Sequence, residues 1–148
     1  MKRRTLEQLI EQARRMRDDA ATRATGAHRD AENAQRTLDV LSTYLGEHLR
    51  GAAARPYADP ALLQVRERFT RKLDAAIGEQ TSVRDTFHDA MARRRGELID
   101  RQRRLLAFET LQARREAALE RRRERAEQRQ TDEIAARAAN RRAGGGTR

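Results

Sequence analysis

Gly51-Ala52-Ala53-Ala54-Arg55-Pro56-Tyr57-Ala58-Asp59-Pro60 holds both prolines of the 148-residue chain. Proline lacks the backbone donor a helical turn needs and clashes with the turn before it, so a helix is expected to stop in this stretch and another to start after it. The arms on either side are proline-free and unequal, running from about residue 4 to 50 and from about 60 to 141. As helices they would measure roughly 70 Å and roughly 120 Å. Gly51 suits the position just past a helix C-terminus, and the turn is expected over residues 51–59. Asp59 then caps the second helix, and Pro60 occupies its first turn, where a missing donor does no harm. The glycine-rich residues 142–148 are expected to be a disordered tail.

Composition favours an extended helical object over a globule. Hydrophobic residues make up 37%, aromatics 3% and charged residues 38%, and tryptophan is absent, which is too little apolar bulk for an ordinary core of this size. The same numbers are compatible with disorder, but the periodicity described next is not. No stretch approaches the ~20 apolar residues of a membrane span, and Met1-Lys2-Arg3-Arg4-Thr5-Leu6 lacks the apolar core of a signal peptide. A cytoplasmic protein is expected. With zero cysteines, disulfides, thiolate metal sites and cysteine nucleophiles are excluded.

The first arm places apolar or small residues at Leu6, Leu9, Ala13, Met16, Ala20, Ala24, Ala27, Ala31, Ala34, Leu38, Leu41 and Leu45. Steps of three and four alternate with one repeated four, the pattern of a coiled-coil seam with a single stutter. The second arm continues the theme at Leu62, Val65, Phe69, Leu73, Ala76, Gln80, Val83, Phe87, Met91, Arg94, Leu98, Arg101, Leu105, Phe108, Gln112, Arg115 and Leu119. The reading is an all-α fold: a two-helix antiparallel coiled-coil hairpin whose long second helix overhangs the first. Folding about residue 55 sets Leu45 against Val65, Leu41 against Phe69, Leu38 against Leu73 and Leu6 near Leu105. Beyond about Phe108 the second helix would then have no intramolecular partner.

Charge concentrates in that overhang. Residues 93–148 hold 17 arginines and 9 acids, whereas residues 1–92 hold 16 basic and 14 acidic side chains. Basicity invites a nucleic-acid partner. Against it, the arginines of Arg114–Arg129 are interleaved with Glu116, Glu120 and Glu124 rather than set on one clean face, and no aromatic platform or zinc-ligand set accompanies them. Catalysis is not expected either. Gly144-Gly145-Gly146 has no lysine after it, so it is no phosphate loop, and His28, His48 and His88 are too scattered to form a metal set. Neither cofactor nor metal is expected.

The chain resembles the FliJ family, the stalk component of the flagellar type III export apparatus. The residues that carry the resemblance are Ala34-Gln35-Arg36-Thr37-Leu38-Asp39-Val40-Leu41-Ser42-Thr43-Tyr44, Phe69-Thr70-Arg71-Lys72-Leu73-Asp74-Ala75-Ala76-Ile77-Gly78-Glu79-Gln80, Phe108-Glu109-Thr110-Leu111-Gln112, and Gln130-Thr131-Asp132-Glu133-Ile134-Ala135-Ala136-Arg137. It implies a coiled coil similar to the paired terminal helices of the gamma subunit in rotary ATP synthases. It further implies a non-catalytic stalk that enters the ring of the export ATPase FliI with its open end, reaches the export gate protein FlhA with the rest, and handles FliH and export chaperones. Such a protein would sit on the cytoplasmic face of the inner membrane through protein contacts. The positions matching the family's gate-binding patch are Thr37, Leu41, Tyr44, His48, Phe69, Leu73, Ala76 and Gln80. Charge adds Arg114, Arg115, Arg121, Arg122, Arg123 and Arg125 as expected ring contacts. Two alternatives stand beside this reading: the stalk of a virulence type III secretion ATPase, and a basic coiled-coil nucleic-acid-binding protein.

Overall fold

A computed structural model describes residues 2–55 and 59–146. Pro56, Tyr57 and Ala58 of the expected turn lie outside the described residues, as do Met1, Thr147 and Arg148. The fold is all-α. Helix α1 spans Arg3–Ala54 (52 residues) and α2 spans Pro60–Gly144 (85 residues), packed against each other, with no strand among the described residues.

The helix ends show local chemistry at work. The Asp59 carboxylate accepts from the Ala61 N–H at 3.0 Å, and the Asp59 carbonyl accepts the first helical bond from Leu63 at 3.2 Å. Pro60 therefore sits where its absent donor is not missed. Gly51 does not end α1, which runs on to Ala54, and none of the described glycines has a positive φ. Three alanines after Gly51 supply the highest helix propensity and outweigh the roughly 1 kcal/mol that a helical glycine costs. At the other end α2 reaches Gly144, beyond the residue-141 limit expected from sequence, and the Gly145 N–H still donates to the Arg141 carbonyl at 3.1 Å.

The chain divides into two compact units, Ala13–Arg103 and Met1–Gln12 with Arg104–Arg148. In the first, α1 and α2 run antiparallel with Ala13, Ala20, Ala31, Ala34, Leu38 and Leu73 buried. Its register is fixed by four cross-helix contacts. His48 Nε2 meets Thr70 Oγ1 at 3.1 Å, Gln80 Nε2 donates to the Ala34 carbonyl at 3.3 Å, His28 Nδ1 lies 3.3 Å from Met91 Sδ, and Arg101 Nη1 lies 3.7 Å from Met16 Sδ. Relative to a fold about residue 55, α2 is displaced along α1 by about one heptad. The expected pairs Leu45–Val65 and Leu41–Phe69 are therefore corrected.

The reason lies at the turn end of the unit. Sequence assigned Leu62, Val65 and Phe69 to the seam, but they are 50%, 64% and 39% exposed. Arg66, Thr70 and Leu73 face inward instead. The Arg66 guanidinium donates to the carbonyls of Ala52 (3.3 Å) and Arg55 (3.4 Å). Those carbonyls stand at the C-terminal end of α1, where a cation is favoured. A polar contact at the helix end thus overrides the more apolar stripe. Further along, Arg84 rather than Val83 turns inward, and Arg94 leaves the expected seam to pair with Glu97 at 3.1 Å.

In the second unit Leu6, Ile10 and Leu105 are buried. Ile10 was not on the sequence seam, but it follows Leu6 by four residues and so shares its face. On α2, Phe108, Glu109, Gln112, Arg115 and Ala118 are half-buried, whereas every residue from Leu119 to Gly146 is exposed. The expected loss of a partner beyond about Phe108 is corrected to Ala118. Within this unit Leu6, expected near Leu105, lines a recess with Gln112, Ala118 and Leu119.

Candidate functional site

Two surfaces hold the residues singled out from sequence. The first lies in the Ala13–Arg103 unit, where Tyr44 and His48, one helical turn apart on α1, converge on Phe69 of α2. The Tyr44 and Phe69 rings meet edge to face with centroids 6.0 Å apart, and the His48 and Phe69 rings do so at 4.7 Å. Such arrangements are favoured by the ring quadrupoles. Thr70 orients the histidine: its hydroxyl donates to the Arg66 carbonyl at 3.0 Å, leaving the oxygen to accept from His48 Nε2. Tyr44 is 53% exposed and Phe69 39%, so the cluster presents ring surface to solvent instead of closing over it.

The other expected patch residues divide. Leu41 and Ala76 are half-buried, while Thr37 is exposed and its hydroxyl donates to the Asn33 carbonyl at 3.0 Å. Leu73 is only 7% exposed and forms part of the seam. Gln80 is half-buried and tied to the α1 backbone. Tyr44, His48 and Phe69 are brought together; Leu73 and Gln80 are turned inward. Three large apolar residues missed at this surface, Val40 (68% exposed), Leu62 and Val65, extend it. Val40 lies one turn from Tyr44, and Leu62, Val65 and Phe69 are spaced three and four apart on one stripe of α2. That spacing was legible in the sequence, but it was assigned to the seam.

The second surface is α2 after Ala118. Arg114, Arg121, Arg122, Arg123 and Arg125 are exposed, and Arg115 is half-buried. Because α2 is continuous here, each residue turns about 100° from the last. Glu116, Glu120, Glu124 and Glu127 then share one arc of about 80°, and Arg114, Arg121, Arg122, Arg125 and Arg129 share another of about 100°, centred about 150° away. The charges are segregated, which corrects the interleaved reading: alternation along the sequence becomes separation around the helix. Arg123 is the exception, lying on the glutamate side 3.9 Å from Glu120. Between this helix and the start of α1 lies a recess of about 480 Å³ with Leu6, Ala118 and Leu119 among its lining and Arg3, Arg115, Arg122 and Arg123 around it.

Among the described residues no three His, Cys, Asp or Glu side chains are grouped to hold a metal ion. His28 contacts Glu32 at 3.3 Å and Met91, and His88 is exposed. No described helix is long and apolar enough to cross a membrane.

Paired helices with an open aromatic cluster and a charge-segregated helical extension define a coiled-coil protein. Its distinguishing chemistry lies on its outer faces. The chain belongs to the flagellar FliJ protein family, whose model matches residues 1–144. That family is a non-catalytic stalk component of flagellar protein export. No curated protein and no solved structure matches the chain.

Proposed function

We propose that this protein couples the export ATPase FliI to the export gate protein FlhA, with FliH and export chaperones as further partners. It would do so at the cytoplasmic face of the inner membrane. The observation that carries the reading is that the chain bears two exposed surfaces of different chemistry: the Tyr44–His48–Phe69 cluster with its apolar neighbours, and the bare arginine-bearing helix after Ala118. An exposed aromatic group suits a gate-protein interface, since aromatic anchors bury large areas at small entropic cost. Thr37, Leu41 and Ala76 would border that contact, while Leu73 and Gln80 would hold the helices in place beneath it. The arginines suit contact with carboxylates of the ATPase ring.

Purified FliI and FlhA of the same export system provide the test. Removing residues 119–148 is expected to abolish ATPase stimulation and leave gate-protein binding intact, whereas Tyr44→Ala is expected to weaken gate binding alone. Loss of both activities in either variant would sink the division of labour.

A further inference from the structure

We infer that the arginine-bearing helix recognises its partner through one face only, and that this partner is a protein surface lined with carboxylates. The inference rests on reading this helix as a docking segment and adds its orientation and the chemistry it meets. Arg114, Arg121, Arg122, Arg125 and Arg129 lie on a single arc of α2, all are exposed, and none makes an ion pair among the described residues. Five unpaired guanidinium groups on one face form an unbalanced positive field that a carboxylate-lined groove or helix complements, each guanidinium able to donate a bidentate pair of hydrogen bonds to a carboxylate.

The stripe has defined limits. Arg123, on the opposite side, is engaged by Glu120 at 3.9 Å, and so belongs to the face that carries Glu116, Glu124 and Glu127. Asp132, which falls back on the arginine arc, receives the Gln128 amide at 3.1 Å and closes the stripe at its far end. The glutamate face favours a protein over a nucleic acid. Carboxylates on the back of the helix repel phosphates on either side of a groove, whereas a protein partner touching one side leaves them in water.

The same stripe bears on self-association. A two-fold dimer centred on the arginine face would set arginine against arginine, and like charges face to face are repelled. A partner with its own acidic face suits this stripe better than a second copy of it.

The test uses the full chain and three variants: Arg121→Gln/Arg125→Gln/Arg129→Gln, Glu116→Gln/Glu120→Gln/Glu124→Gln, and Arg123→Gln. Glutamine keeps helix propensity close to that of the residues it replaces, and circular dichroism checks that α2 persists. The probes are a synthetic Ala/Glu helical peptide with carboxylates at every third and fourth position, duplex DNA of about 20 base pairs, and purified FliI. The arginine triple variant is expected to lose about tenfold or more in affinity for the acidic peptide and for FliI, while the glutamate triple variant and Arg123→Gln bind as tightly as the parent or tighter. Three results would overturn the inference: no binding of the acidic peptide, equal weakening by both triple variants, or tighter binding of DNA than of peptide at about 0.15 M salt. A one-sided response to the peptide with no binding of FliI would overturn the ring reading and leave the face assignment standing.

Discussion

The Tyr44–Phe69 surface and the helix after Ala118 are both exposed, yet they are built on opposite principles. At the first, two helices support each other, and ring edges are held by His48, Thr70 and their neighbours. At the second, a single helix carries charges with no packing beneath them. Recognition by shape needs a rigid floor, because the contact fails if the rings drift. Recognition by charge tolerates a mobile support, because its range is about a Debye length rather than a van der Waals contact.

The largest expected effect probes where the support ends. A chain ending at Ala118 should keep the helicity of residues 2–118, whereas one ending at Phe108 loses the cover supplied by Gln112, Arg115 and Ala118 and should melt the first turns of α1. Circular dichroism would show the shorter chain losing more helix than the ten residues removed; a proportional loss would mean that the lone helix begins earlier. Next comes salt. Between about 0.05 M and 1 M the screening length falls from more than 10 Å to about 3 Å, so ATPase binding should weaken by an order of magnitude or more while gate binding changes little. Equal sensitivity would erase the contrast.

Within the aromatic surface, Leu73→Ala and Tyr44→Ala separate floor from anchor. Leu73 is 7% exposed, and its truncation should cost about 2 kcal/mol of stability in urea unfolding. Tyr44→Ala should change stability by under about 0.5 kcal/mol, with its main effect on partner binding. The reverse order would make Tyr44 structural. The smallest effect belongs to Gly78→Ala. Gly78 is helical with nothing within 4 Å of an added Cβ, so the substitution should stabilise by about 0.5–1 kcal/mol and leave both contacts unaltered. A loss of either binding activity would show that the unit needs its glycine for flexibility.

These contrasts were only partly visible in the sequence. The α1 seam was legible over most of its length, because one helix with a single apolar stripe nearly permits one reading: Leu6, Ala13, Ala20, Ala31, Ala34 and Leu38 are all buried as spaced, and only the buried Ile10 was missed. The α2 stripe near the turn was not, because Leu62–Val65–Phe69 and Arg66–Thr70–Leu73 have the same periodicity and hydrophobicity favours the first. The choice depends on Arg66 reaching the last carbonyls of α1, a contact between residues 14 apart that no helical period encodes. The misassigned residues then reappear as exposed apolar surface, the kind of departure from local pattern expected at functional or strained sites. Around the arginines the obstacle differed. The charges were read along the chain, whereas their arrangement exists only around the helix.

The alanines of α1 have a consequence for how axial position is defined. Along Ala20, Ala24, Ala27, Ala31 and Ala34, α1 offers no bulky knob, while α2 supplies Phe87, Met91 and Leu98 over the matching length. Sliding one helix by a heptad would exchange alanine for alanine beneath those large side chains, with little change in buried area. Like a vernier, the pair needs index marks that its alanines do not supply. His48 on Thr70, Gln80 on the Ala34 carbonyl and Arg66 on the Ala52 carbonyl hold the scale at zero.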